Sequence, residues 1–313
     1  MMRNIIYTFL IILMLPLLIN AAETDKTLLN AVVVGDMDEV DSLLKKGSSP
    51  NARTKHGKSA LMFAIEEGGD EIVHLLLKYG VNVNARSSAG CTALTYASEN
   101  GYKYLVEVLL DHGAKTYPKT RAGWDALGVA TRQGYTEVLS TLIKHGANVN
   151  TADKDGITAL MAASVRNNLS ALTVLLNADA DVHVRDKNGD SALILAACKG
   201  HDRIIKALVK AGDNANAVND QGSTALFCAG ENGHVDTLRL LLEYNIHIDH
   251  KNLLGETALL SSAINGEVDS VRLLLARGAN PAIKDVKGRT AMDYARQKRY
   301  RDVVQLLEST AVR

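Results

Sequence analysis

His247, Asp249 and His250 form the densest run of metal-ligand residue types in the chain. Tetrahedral zinc needs donors of this kind converging on one point. On an extended arm, alternation sends His247 and Asp249 to one side and His250 to the other, so three-point coordination needs a bend. The run therefore reads as solvated loop, and no metal is expected. Cysteine chemistry is limited to Cys91, Cys198 and Cys228, too few for a disulfide scaffold. A bridge between Cys198 and Cys228 requires an oxidising compartment and Cα atoms within about 7 Å. Two buried free thiols are the simpler expectation. Cys91 is left over as a candidate redox-sensing thiol. No phosphate-binding Gly-Lys loop, G-x-S-x-G elbow, H-E-x-x-H or paired C-x-x-C occurs, and no nucleophile can be placed beside a base. The expectation is a non-catalytic protein with no cofactor.

Charge and composition narrow the partners. Lys plus Arg is 35 and Asp plus Glu is 35, a net charge of zero. That balance argues against a bulk electrostatic grip on nucleic acid or an anionic membrane. Apolar residues make up 47% of the 313 residues, yet aromatics are only 4%, thin for a conventional core. A single core stops growing near ~250–300 residues, so the length suits two domains or a repeat array.

The N-terminus has the layout of a secretory signal. One cation, Arg3, precedes an apolar run from Ile5 to Ile19, and Asn20, Ala21 and Ala22 lead to the charged Glu23. The run is shorter than the roughly 20 residues of a membrane-spanning helix. Cleavage after residue 22 is expected, with retention as an uncleaved anchor the alternative. It leaves 34 bases (35 minus Arg3) against 35 acids. The mature chain is then exported: periplasmic in a Gram-negative bacterium, otherwise secreted.

Everything after this segment repeats. Gly57, Gly90, Gly123, Gly156, Gly189, Gly222, Gly255 and Gly288 stand at intervals of 33 without insertion. Two residues after each comes Ser59, Thr92, Asp125, Thr158, Ser191, Thr224, Thr257 or Thr290, all able to cap a helix N-terminus. Seven after each comes Ala64, Ala97, Ala130, Ala163, Ala196, Ala229, Ser262 or Ala295, small enough for neighbouring helices to touch. Farther on, Leu76-Leu77 recurs through Leu274-Leu275. Gly80, Gly113, Gly146, Asp179, Gly212, Asn245 or Gly278 follows three residues later, where a helix end needs φ > 0. Each unit predicts a capped short helix, a glycine turn, a second helix, a left-handed stop and an extended hairpin. One unit cannot bury its own apolar face, so copies must stack. The array divides into a degenerate first unit over 24–56, full repeats over 57–287 and a polar last unit over 288–313.

These residues resemble the ankyrin repeat family, with its 33-residue period and T-P-L-H-x-A signature. The clearest copies are Gly156-Ile157-Thr158-Ala159-Leu160-Met161-Ala162-Ala163 and Gly255-Glu256-Thr257-Ala258-Leu259. Ala replaces the family's Pro, and Met62, Thr95, Gly128, Met161, Ile194, Phe227, Leu260 and Asp293 replace its His. The resemblance implies an all-α repeat solenoid of helix-turn-helix units with short β-hairpin connections. It also implies an interaction scaffold, here expected to be monomeric, that binds a protein on its concave hairpin and first-helix side. His201 and His234 follow the mid-unit glycine, where the family often carries His.

Carried over by position, that surface names its candidate residues. Lys58, Cys91, Trp124, Ile157, Asp190, Ser223, Glu256 and Arg289 directly follow the glycines, and their spread of chemistry marks a position free of the fold's demands. Trp124, with Tyr117 and Arg121 nearby, groups the residue types most enriched in binding hot spots; the alternative is that Trp124 packs locally. Four residues before the glycines come Arg53, Arg86, Lys119, Ala152, Arg185, Val218, Lys251 and Lys284, six of eight basic, a row able to steer an acidic partner. Leu253, Leu254 and Val286 place apolar groups on the last hairpins.

Overall fold

The structure is a computed structural model that describes residues 23–311; the expected signal segment over 1–22 lies outside them. Its residues group into two compact units, one ending at Asn148 and the other running from Val149. In the first, α1 (23–34) and α2 (Met37–Lys45) precede three helix pairs: α3 (Ala60–Glu66) with α4 (Asp70–Lys78), α5 (Ala93–Glu99) with α6 (Lys103–Asp111), and α7 (Ala126–Gln133) with α8 (Thr136–Lys144). The second holds five pairs: α9 (Ala159–Val165) with α10 (Leu169–Asn177), α11 (Ala192–Ala197) with α12 (Asp202–Lys210), α13 (Ala225–Glu231) with α14 (Val235–Leu241), α15 (Ala258–Asn265) with α16 (Val268–Ala276), and α17 (Ala291–Lys298) with α18 (Arg301–Ala311). Among the described residues, no helix is long and apolar enough to cross a membrane. The fold is an all-α repeat solenoid.

Each first helix starts where its cap stands. The side-chain oxygens of Ser59, Thr92, Asp125, Thr158, Ser191, Thr224, Thr257 and Thr290 all accept the backbone N–H three residues on, at 2.9–3.3 Å. Such a cap contributes about 1 kcal/mol. Behind it the small residue of each repeat is buried where first helices meet, α3 on α5 and α5 on α7, then α9 on α11 through α15 on α17. Ser262 is the odd one, and Gly230 on the facing helix α13 makes room for it. The Ser262 hydroxyl donates to the Gly230 carbonyl at 3.0 Å, and a Cβ at Gly230 would stand 2.8 Å from that hydroxyl. The second helices bury Leu76, Leu109, Leu142, Leu175, Leu208, Leu241 and Leu274 completely.

Three sequence expectations change. Asp179 takes the expected left-handed conformation at φ 59°, but Asn245 is not among the positive-φ residues. There α14 ends early at Leu241, and the Ile246 N–H turns back to the Tyr244 carbonyl at 2.8 Å, so the chain leaves the helix by another route. The hairpins are less strand-like than expected: the bridges Arg53–Ser59, Ala152–Thr158 and Val218–Thr224 are the antiparallel pairings among the described residues. Finally, Cys198 and Cys228 are not free thiols but a disulfide, with Cα atoms 4.9 Å apart. The close approach of α11 and α13 over small residues brings the end of one helix against the middle of the next.

What stiffens the hairpins is a side chain three residues before each glycine. The oxygens of Thr54, Ser87, Thr120, Asp153, Asp186, Asn219, Asn252 and Asp285 each accept the N–H of the residue after the glycine, at 2.9–3.3 Å. Backbone bonds then join neighbouring tips, Ser88 N–H to His56 O and Arg121 N–H to Ala89 O in one unit, and Lys187 to Asp155, Asp220 to Asn188, Leu253 to Gln221 and Val286 to Leu254 in the other. This stapling supports each turn with a short polar side chain of the hairpin itself.

Candidate interaction surface

The glycine at each tip holds a positive φ, which turns the next residue toward its own first helix. Side chains one and nine residues after the glycine consequently meet. In the first full repeat Lys58 pairs with Glu66, and its ammonium stands 4.2 Å from the Phe63 ring centroid and 5.1 Å from that of Tyr96. In the third, the Arg132 guanidinium lies 5.2 Å from the Trp124 ring. In the last, the Arg289 guanidinium sits 4.1 Å from the Tyr294 ring and donates to Gln297 Oε1 at 3.4 Å. The Tyr294 hydroxyl donates to Asp285 at 2.6 Å.

This geometry locates each candidate. Trp124 is only 7% exposed: its ring lies over Gly128, where a Cβ would run into it. Its chemistry is therefore already used on its own repeat. Tyr117 stays 64% exposed, with the Lys115 ammonium 5.6 Å from its ring, and Arg121 is exposed at the tip. Ile157 is half-buried. Along the basic row, Arg53, Arg86, Arg185, Lys251 and Lys284 are exposed and Lys119 is half-buried. Three of these cations also tie adjacent hairpins, since Arg86 donates to the Lys119 carbonyl at 2.5 Å, Arg185 to Val218 O at 3.3 Å and Lys251 to Lys284 O at 3.5 Å. Arg53 lines a hollow with Asp25, Leu29 and Phe63. The histidines have structural partners. His201 Nδ1 stands 2.9 Å from Ser164 O, His234 Nε2 3.0 Å from Cys198 O and His250 Nε2 2.9 Å from Gly222 O. In the same segment the Asp249 carboxylate accepts the Asn280 N–H at 2.9 Å, and the His247 N–H donates to Asn216 Oδ1 at 2.8 Å.

A hollow of about 560 Å³ in the second unit was not foreseen from the sequence. The Cys198–Cys228 disulfide and Phe227 line it, together with Leu253 and Leu254, which are 73% and 57% exposed. Asp190, Glu231 and Glu256 bring three carboxylates, none in an ion pair among the described residues. Burial raises the Asp190 carboxyl above its usual range, against the hydrogen bond from Asn219. Burial and then the Glu256 charge raise Glu231. The signal was present in the period: the residues after Gly189 and Gly255 are acidic, and Glu231 stands nine after Gly222.

One buried acid stands apart. Asp213 occupies the register of Ala147, Ala180 and Ala279, is 6% exposed, and its Oδ2 has no partner among the described residues. Burial pushes its carboxyl up to about 6, while the Asn214 backbone, Arg185 and His183 pull the other way.

No curated protein matches the chain. The profile of the family described as "Ankyrin repeats (3 copies)" matches residues 28–120, 116–186, 166–252 and 247–311, which follow the capped helix pairs across nearly the whole array. Period, caps, stacked helix pairs and profile agree, and the chain belongs to the ankyrin repeat family.

Proposed function

We propose that this chain is an exported, non-catalytic scaffold that grips one protein partner on the face formed by its hairpin tips and first helices. Ankyrin repeats in general are protein–protein interaction modules. The observation that carries the reading is the cluster of Leu253, Leu254 and Val286 at hairpin tips, where stapling by Asn252 and Asp285 leaves the side chains no part in holding the turn. Large apolar groups exposed together cost solubility unless a partner covers them. In each unit taken by itself the tips carry cations, Arg53, Arg86 and Lys119 in the first and Arg185, Lys251 and Lys284 in the second, which steer acidic surfaces toward them. Tyr117 and Arg121 are the exposed candidates in the first unit and Ile157 is a half-buried one in the second, whereas the buried Trp124 supports its own repeat. Export is supported by the signal-like residues 1–22 and by a disulfide that an oxidising compartment would maintain.

A photo-crosslinking residue placed at Leu254 or Tyr117 tests this against one placed at Lys206, on the exposed side of α12. Capture of the same protein from both tip positions and not from Lys206 is the expected result. Equal capture from all three, or from Lys206 alone, overturns the assignment of the face. Sequencing the mature N-terminus checks export, which predicts a start near Glu23.

A further inference from the structure

One acid of this register shows what it can hold. In the first unit Glu66 stands nine residues after Gly57, and Lys58, one residue after that glycine, neutralises it while lying across Phe63 and Tyr96. In the second unit Glu231 stands nine residues after Gly222, but the tip position is Ser223 and the next tip supplies Glu256, a second acid. An apolar wall is present here too, built largely from other positions: Phe227, the disulfide, Leu253 and Leu254. The arrangement of carboxylate and apolar wall is thus repeated with its cation missing. Carboxylates in a partly desolvated recess attract a cation more strongly than in bulk water, because the lower effective dielectric strengthens the charge–charge attraction.

We infer that this hollow takes a lysine or arginine side chain of a partner protein, set between Glu231 and Glu256, with an adjacent aliphatic residue of the same segment against Leu253 and Leu254. The inference rests on the proposed scaffold role and names the chemistry of its docking point. A cavity of about 560 Å³ lies within the usual size range of binding pockets, roughly 300–1,000 Å³. The long apolar stem of Lys or Arg lies along apolar wall while its head reaches the carboxylates, so one side chain meets both features of the site. The basic row outside the hollow, Arg185, Lys251 and Lys284, disfavours a uniformly cationic segment and selects a single cation within an apolar or acidic stretch.

The test is amide NMR on the full chain titrated with three capped pentapeptides: Gly-Leu-Arg-Leu-Gly, the same peptide with Glu for Arg, and the same with Ser for both Leu. The Leu-Arg-Leu peptide is expected to shift the amides of Asp190, Phe227, Glu231 and Leu253 through Glu256. The Glu peptide should leave these amides unmoved, and the Ser peptide should bind several-fold more weakly. Glu231→Gln with Glu256→Gln should weaken the Leu-Arg-Leu peptide about fivefold or more, the scale of two partly exposed ion pairs. Ser223→Lys supplies the absent cation from within the chain, as Lys58 does, and should abolish the shifts while all other amides stay in place. Unchanged binding by either variant overturns the inference, as does an equal response to the Glu peptide. A response to the Glu peptide along Arg53, Arg86 and Arg185, with none in the hollow, overturns the inference and leaves the scaffold reading standing. No response to any peptide anywhere on the tips counts against both.

Discussion

The first repeat of one unit and the α13 repeat of the other present the same register to solvent with opposite outcomes. Lys58, Phe63, Tyr96 and Glu66 satisfy one another, whereas Ser223, Cys228, Glu231 and Glu256 leave negative charge unanswered over an apolar floor. The backbone, caps and stapled tips are alike in both. What differs is a set of side chains at the tip and first-helix positions: Lys58 against Ser223, Phe63 against Cys228, Tyr96 against Ser261 and Cys91 against Glu256. Exchanging side chains at such positions on a constant backbone separates a closed patch from an open one.

The largest expected effect that sets the two units apart is loss of the disulfide. Its sequence separation of 30 corresponds to about 3–4 kcal/mol of chain-entropy stabilisation. Cys198→Ser should therefore speed hydrogen exchange across α11 to α15 and leave α3 to α6 unchanged. Without reductant the native protein should titrate one thiol, Cys91, rather than three. Three titrating thiols, or exchange that speeds equally in both units, would break the contrast.

Next comes Asp213, a buried acid with one carboxylate oxygen unpartnered among the described residues. Its folded pKa of about 6 stands above the ordinary 3.8, so ionisation opposes folding. Stability from this group is fully present below about pH 4 and is lost as pH rises through about 6. Asp213→Ala, which restores the residue of the neighbouring repeats, should stabilise the second unit by on the order of 2 kcal/mol at pH 7.5 and by nothing at pH 3.5. Urea unfolding at the two pH values measures this, and an equal effect at both removes the burial argument.

Gly128→Ala comes third. The added Cβ meets the Trp124 ring, and the strain should cost about 1–2 kcal/mol in the first unit. In a Trp124→Ser background the same Gly128→Ala change should cost little, whereas an undiminished cost there would show that the glycine serves the helix and not the ring. The smallest effect on stability is Lys58→Ala, under about 1 kcal/mol for a largely surface pair. Its value is as a converse: it should open the first unit, so that the Leu-Arg-Leu peptide now shifts Phe63 and Glu66.

The array was legible because its determinants recur under strict geometry: a cap oxygen, a small residue at a helix contact and a fixed spacing tolerate few alternatives. The tip staple is equally regular, an acceptor three residues before every glycine, but Thr, Ser, Asp and Asn all serve, so no single residue type marks it. Trp124 looked like a free anchor because its exposure depends on Gly128, four residues on, and only the pair together reveals the packing. The disulfide was left open because spacing along two helices does not give the distance between them, which the small residues at the α11–α13 contact set. The hollow was missed for the same reason, being made of side chains from three repeats.

The bridge between Cys198 and Cys228 also bears on how the array would respond to force. Stacked repeats pulled by the chain ends peel away one after another, each releasing its contour length. The residues between the two cysteines, a separation of 30, stay outside the pulled path while the bond is intact. They withhold about 100 Å of extension at roughly 3.4 Å per residue. Reduction returns that length, so a force–extension trace on this protein would read the redox state of its second unit as a step in distance.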